Sequence, residues 1–597
     1  MCGIAGFITT DSDGPHAART LSRMLEPLRM RGPDSEGQWT GQVARRTLGL
    51  GHRRLAILDL SPLANQPMFR GDLVLVYNGE IYNYLELRRE LESGGQTFVT
   101  HSDTEVLLAA YRQWGEDCLA RLNGMFAFAL WDAGEAKLFC ARDRAGEKPF
   151  YYYATADCFV FASEIKALLR FGAPVPCAPD VEQIEEYFVK SYQPLGPKTF
   201  FRGIRELLPA HRLTVQATEE NLGPEVRPYW QYPTAAERQI PISTARFREI
   251  FDDSVRLRLR SDVPIGTCLS GGVDSPSVAA AVAQLKQGET NGQFRYVGVH
   301  AYAPVPGADE RPYVERVAGR LGFKVSLVEI TGDGCLEELD ELVYRQEVPF
   351  LGPSIYAQRC VFRRAAELGL KVMLDGQGAD ELFGGYDWVV PRAIAARWRE
   401  SGWGEALRQA RMFAGARFPM GSLLARAILY RFRRSKGEVP DDLDQALRAS
   451  FLSLSLPALL RYADRNSMSF GVEARLPFLD HRLIEATAGL ATRDCAADGM
   501  TKVILRRAMR DRLPEEILQR KDKTAFAVPE AQWIRAELRQ AVRDAVGDPF
   551  WKELAFPSRD KMLRRALAET EGAFYHRAAW KVLCLSRWYR TFFEDTP

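Results

Sequence analysis

No apolar run in this 597-residue sequence reaches the length needed to span a bilayer. No basic segment precedes its short apolar start, so a secretory signal is not expected either. The ten cysteines form no CxxC pair and no zinc spacing. That sets aside a disulfide framework and a structural zinc site, and the thiols suit a reducing cytoplasm. An excess of one charge is missing as well: a net charge of +2 creates no field that would gather nucleic acid. There is no internal repeat and no low-complexity tract. What remains is an ordinary globular composition, 46 % hydrophobic and 26 % charged. The length allows roughly two to four domains.

The chemistry gathers around Leu269-Ser270-Gly271-Gly272-Val273-Asp274-Ser275. An apolar run of strand length, 263–268, precedes it, and 276–283 reads as a helix. Glycines let the backbone approach a ligand, and a helix N-terminus points free N–H groups at it, which makes a phosphate site. Asp274 supplies a carboxylate where magnesium would bridge phosphate oxygens. Pro276 suits the first helical position, where its missing N–H costs nothing. No lysine follows the glycines, so this is not the GxxxxGKS/T loop. SGGxDS in this context resembles the pyrophosphate loop of ATP pyrophosphatases, which split ATP between the α and β phosphates to adenylate a substrate.

Upstream, Cys2 is small enough for the initiator methionine to be removed, which would leave a thiol beside its own α-amine. An amine with a pKa of about 8 can serve as the base for that thiol. The segment 51–58 alternates into a strand and carries Arg53 and Arg54, either able to clamp a carboxylate. The run 73–77 reads as a strand ending in Asn78-Gly79-Glu80, where an amide and a backbone N–H can form an oxyanion hole. Ser102-Asp103-Thr104-Glu105 matches a capping box and puts Asp103 in a first helical turn, fit to receive an ammonium. With Arg31-Gly32-Pro33-Asp34 and 124–128, these motifs resemble the glutaminase domain of the class II, N-terminal-nucleophile amidotransferases. The resemblance implies an αββα sandwich of two antiparallel sheets between helical layers. It makes Cys2 the nucleophile and Asn78 with Gly79 the oxyanion donors, while Arg54, Glu80 and Asp103 hold glutamine; Arg53 is set aside because the family arginine directly precedes the Leu-x-Ile step.

The domains expected are a glutaminase domain over 2–205, a linker with closing strands over 206–240, and a second domain over 241–597. In the last, strand patterns at 294–299, 324–329 and 371–374 alternate with helices such as 309–321. This order predicts a doubly wound parallel sheet with ligand at the carboxyl ends of its strands. The stretch 375–386, Asp375-Gly376-Gln377-Gly378-Ala379-Asp380-Glu381 and onward, suits a nucleotide-metal site. Together with 464–469, 471–480, Lys502 and Lys523, it is similar to the synthetase domain of glutamine-hydrolysing asparagine synthetases. The resemblance then implies that Asp274 and Asp380 hold magnesium. It implies that Ser270, Gly271, Gly272, Asp274 and Ser275 cradle pyrophosphate, and that Val297, Asp375 and Gly376 contact the nucleotide. Lys523 would stabilise charge at the adenylate, with Lys502 assisting.

One departure stands at Gln377, where asparagine-forming members usually carry glutamate. A glutamine amide cannot act as a carboxylate base. Either another carboxylate serves (Glu347, Asp375 or Glu381), or the acceptor is not aspartate. The resulting expectation is a ligase using ATP and magnesium, with glutamine and a carboxylate acceptor as partners. The acceptor is aspartate on the family reading, or a sugar acid or natural-product acid on the other; a non-catalytic homologue is a third reading. An internal ammonia passage and a homodimer are compatible with the family. The basic segment 387–460 reads as the solvated face of a helical subdomain, with an anionic partner as the alternative.

Overall fold

The computed structural model describes residues 2–10, 14–190, 196–218, 220–234, 242–286, 296–305, 309–415, 418–432, 440–521, 528–572 and 574–594. Two six-stranded antiparallel sheets open the chain. In spatial order the first runs 205–206, 151–154, 158–162, 3–9, 46–54 and 35–43. The second runs 225–228, 211–216, 137–142, 124–132, 73–81 and 68–70. Alternation along each strand sorts its side chains. Val74 and Val76 join Ile4, Leu50 and Phe161 between the sheets, while Leu75 and Tyr77 pack under Val106 and Leu107 of the helix Asp103–Trp114. Leu21 and Leu25 of the helix Gly14–Leu25 cover Phe7 and Val160 on the other outer face. The αββα sandwich anticipated from sequence is therefore present.

The second half builds a five-stranded parallel sheet in the order 324–329, 297–302, 265–268, 372–374 and 473–475. Helices pack on its faces, as the alternating pattern predicted. Three details differ from expectation. The strand Leu73–Ile81 continues through Asn78-Gly79-Glu80 instead of ending before it, because Asn78 pairs with Ala127 and Glu80 with Met125 of the neighbouring strand. Pro276 is the third residue of the helix Asp274–Lys286, still inside the turn whose N–H groups lack intrahelical partners. The fifth strand, Glu473–Arg475, carries two charges in three residues and gave no apolar signal to read.

The helices Val389–Ser401, Trp403–Phe413, Met420–Phe432 and Leu443–Ala449 share a core of their own that includes Val389, Ile394, Ala406 and Phe413. Several of the basic residues on these helices are engaged. Arg397 pairs with Glu400 and Glu405, Arg408 with Glu405 and Asp498, and Arg392 stacks on Trp388 and Tyr430. The two halves dock through buried aromatics: Tyr187 and Phe200 meet Trp580 and Trp588, and Tyr187 Oη and Trp580 Nε1 both donate to the Phe350 carbonyl at 2.9 Å. Among the described residues no helix is long and apolar enough to cross a membrane. All ten cysteines are unpaired thiols.

Candidate active sites

Cys2 sits one residue ahead of the central strand of the first sheet and is 7 % exposed. Its backbone N donates to Asn78 Oδ1 at 3.0 Å, and its thiol lies 4.0 Å from the Leu55 carbonyl. Burial pushes the thiol pKa up. Asn78 is completely buried, and its Nδ2 has no hydrogen-bond partner. A donor left open in such a place is what an incoming oxyanion would complete. A Cβ on Gly79 would lie 2.1 Å from the Met125 carbonyl oxygen, so only glycine fits beside Asn78. Asp103 accepts from Tyr77 Oη and from the Ile81 N–H, both at 2.9 Å, and burial raises its pKa. Glu80 is pushed well above the usual carboxylate range, first by burial and then by Glu473 and Asp103; the Arg475 guanidinium lies 3.7 Å away. Arg54 donates to the Ser61 carbonyl at 2.9 Å and to Asn65 Oδ1 at 2.8 Å, which fixes its guanidinium in the buried corner after its strand. Arg53 turns away to Glu36 and the Leu25 carbonyl.

The capping box forms only by half. Ser102 Oγ accepts from the Thr104 N–H at 3.1 Å, but Thr100 Oγ1 already takes the Ser102 N–H. Glu105 instead accepts from the Val99 and Thr100 N–H groups at 3.1 and 2.7 Å, tying the preceding loop to the helix.

Behind Cys2 lies a buried ionic network that spans both halves of the chain. Arg31 Nε donates to the Cys2 carbonyl at 3.0 Å, while its two terminal nitrogens donate to Asp464 at 2.7 and 2.9 Å and one also reaches Glu164 at 2.9 Å. Arg465 continues to Glu347 at 2.8 Å, and Glu347 also accepts the Lys166 backbone N–H at 2.7 Å. This corrects one expectation: Glu347 is a structural acceptor in the domain junction and does not line the synthetase cavity.

At the phosphate loop, Ser270 N–H donates to Ser275 Oγ at 2.9 Å and the Gly271 N–H to Glu310 at 3.1 Å. Lys502 bridges the two carboxylates assigned to magnesium, at 2.5 Å from Asp274 and 2.6 Å from Asp380. Burial disfavours its ammonium, but those carboxylates outweigh burial and its pKa is raised. Lys502 holds a left-handed backbone at φ +53°, an uncommon conformation for a side-chain-bearing residue. Neighbouring glycines permit the crowding. A Cβ on Gly376 would come within 2.6 Å of the Ser275 nitrogen, and one on Gly385 would collide with Asp380 and Lys502.

Two cavities meet here. The smaller, about 280 Å³, is lined by Gly272, Lys502, Arg506, Arg520 and Lys521. The larger, about 650 Å³, extends from Leu269, Ser270 and Val299 past Asp375, Gln377 and Glu381. Asp375 is pushed up to about 6, chiefly by burial, against the opposing Gly376 N–H bond. Gln377 Nε2 donates to Asp375 at 3.2 Å, and Gln377 Oε1 is buried without a partner.

Residues 1–230 match the glutamine amidotransferase domain model, and 246–590 match the asparagine synthase model. The chain belongs to the glutamine-hydrolysing asparagine synthetase family. It is 32 % identical over 553 residues to glutamine-hydrolysing asparagine synthetase 3 of Bacillus subtilis, covering 87 % of this chain and 86 % of that one. Asparagine synthetase 1 of the same organism is 29 % identical over 639 residues, with 99 % and 96 % covered. The amidase chry2 of Gibberella zeae is 34 % identical over 412 residues, covering 65 % of this chain and 60 % of its own.

Within this synthetase-family chain, the structure brings Cys2, Arg54, Asn78, Gly79, Glu80 and Asp103 into one region, and Ser270 to Ser275, Asp375, Gly376, Gln377, Asp380 and Lys502 into another. Val297 is not in the second group. It begins its strand, at the amino end, and lines a separate cavity with Lys286 and Phe323. Val299, two residues on, reaches the carboxyl rim instead. Lys523 lies outside the described residues. Arg31, Asp464, Glu473 and Arg475 stand in quoted motifs, but nothing in their sequence spacing says that they meet across the domain junction.

Proposed function

We propose that this chain is an ATP-dependent, glutamine-hydrolysing amidotransferase that adenylates a substrate carboxylate and converts it to an amide. The division is a glutaminase domain over 2–205, a linker over 206–240 and a synthetase domain over 241–597. The Cys2 thiolate attacks the glutamine amide carbon, and Asn78 Nδ2 and the Gly79 N–H receive the oxyanion. The proton that the Cys2 α-amine took from the thiol passes to the amide nitrogen, the C–N bond breaks, ammonia leaves, and water hydrolyses the thioester to glutamate. Arg54, Glu80 and Asp103 hold glutamine. In the second domain the acceptor carboxylate attacks the α-phosphorus of ATP, and pyrophosphate leaves into the loop 270–275. Ammonia attacks the acyl carbon, a proton passes to the Asp375 carboxylate, and AMP is released.

The observation that carries this reading is an open donor beside a buried N-terminal cysteine, on the same chain as a phosphate loop whose two carboxylates converge on one cation. That convergence suits magnesium, which would be held by Asp274 and Asp380 together with phosphate oxygens. Magnesium would supply charge neutralisation at the phosphates. Lys502, and Lys523, would balance charge on the departing pyrophosphate.

Aspartate is the acceptor that the relatives' names suggest. A non-aspartate carboxylate is a second reading, favoured by Gln377 where a glutamate is usual and by the lining of the larger cavity. Incubation with glutamine, Mg-ATP and either aspartate or other acids, followed by pyrophosphate and amide analysis, tests both. The expected result is acid-dependent pyrophosphate, with Cys2→Ala active only on added ammonia. Pyrophosphate formation with no acid preference, or none with any acid, would sink the proposal.

A further inference from the structure

The larger cavity has two ends of different character. Its nucleotide end lies at the carboxyl rim of the parallel sheet, beside Cys268, Leu269 and Val299. Its far wall is Leu351, Trp388, Leu454, Ala458, Leu459 and Tyr462. Except for Tyr462, these residues are only half buried although they lie in a concavity, so apolar surface faces the void. Ala458, Leu459 and Tyr462 come from one side of the helix Leu456–Met468. Across from them, Trp388 stacks on Tyr386 with centroids 5.9 Å apart and planes 17° apart, and Arg392 covers Trp388 at 5.2 Å. The ring pair is thereby held as a fixed platform.

The polar groups at this end suit few charges on a ligand. The Glu381 carboxylate, a natural partner for an α-ammonium, already accepts from the Tyr386 hydroxyl and from Ser455 Oγ at 3.0 Å. Among the described residues, the one cation lining this cavity is Arg577, exposed and bound to Glu530 at 3.0 and 3.2 Å. A second carboxylate on the acceptor would sit near Asp375 and Glu381, and among the described residues lining this cavity only Arg577 could offset it. Gln377 Oε1, buried and unpartnered, invites one N–H or O–H donor.

We propose that the acceptor is a monocarboxylic acid with an aromatic or branched apolar body, seated between Trp388 and Leu459. It carries one hydroxyl or amino donor to Gln377 Oε1, and its carboxylate is directed at the phosphate loop. This rests on the adenylating reading above, and the experiment separates the two. Full-length enzyme is assayed for acid-dependent pyrophosphate with 3-phenylpropanoate, its hydroxyl- and amino-substituted forms, branched alkanoates and aspartate. The donor-bearing apolar acids are expected to show kcat/KM at least tenfold above aspartate. Ala458→Trp, which fills the wall, is expected to lower their use at least tenfold relative to glutamine hydrolysis in the same preparation. Leu454→Arg, at a half-exposed position, adds a cation to the apolar wall and should shift preference toward aspartate. Pyrophosphate with aspartate but not with apolar acids overturns the proposed acceptor class and leaves the adenylating function standing. A preparation that hydrolyses glutamine yet releases no pyrophosphate with any acid removes both.

Discussion

A buried amide donor without a partner costs stability unless a ligand completes it, and Asn78 Nδ2 stands in that position beside Cys2. Asn78→Ala is therefore expected to slow glutamine hydrolysis about 10²–10³-fold, the usual loss for one oxyanion donor, read as glutamate release. Amidation driven by added ammonia should survive. Asp375, pushed up to about 6 by burial, is protonated below that pH and cannot accept a proton there. Glutamine-driven amidation should rise with pH through about 6, and Asp375→Asn should flatten that limb; a wild-type profile without it would exclude Asp375 as the base. The single residues were readable where their partners are local. Cys2, Asn78 and Asp103 stood in recognisable motifs, whereas the engagement of Glu347 depends on Lys166 and Arg465, remote in sequence.

Elements place these residues by their boundaries. The strand Leu73–Ile81 runs on past Tyr77, so Asn78 and Glu80 gain backbone partners and lose freedom. The helix Asp103–Trp114 begins at Asp103 because Ser102 caps it. Ser102→Ala should lower unfolding stability by about 0.5–2 kcal/mol in a denaturant titration and raise the KM for glutamine, since Asp103 lies in the first turn. An unchanged KM would dissociate the cap from substrate binding. Hydrophobic alternation made the long strands legible. It could not reveal Glu473–Arg475, a buried strand of mostly charged residues that pairs with Val372–Leu374, about a hundred residues earlier in the sequence.

At the scale of the whole molecule, Arg31 ties the Cys2 region to the second half of the chain, since it touches the Cys2 carbonyl and Asp464 together. Both side chains of that pair are almost fully buried. Arg31→Met removes the bidentate partner of Asp464 and leaves, among the described residues, only Arg465, 3.0 Å away, in direct contact with it, so up to about 3–5 kcal/mol of stability should be lost. Arg31→Met combined with Asp464→Leu should recover part of it, as measured by chemical unfolding. Glutamine-driven amidation should also fall more than ammonia-driven amidation in Arg31→Met. Equal losses would reduce the contact to a purely structural tie.

The sequence by itself determined the family and the fold: motifs of an amidotransferase and of an asparagine synthase, a glycine-rich turn between strand and helix, and the alternation that builds antiparallel and then parallel sheets. These are local patterns, written in residues a few positions apart. Tertiary structure alone decided that Lys502 bridges Asp274 and Asp380, that Val299 rather than Val297 reaches the rim, and that Arg31 meets Asp464. It also decided that the larger cavity has an apolar wall. Each of those depends on chain segments tens to hundreds of residues apart being packed together, and spacing along a sequence does not encode which distant side chains share one buried space.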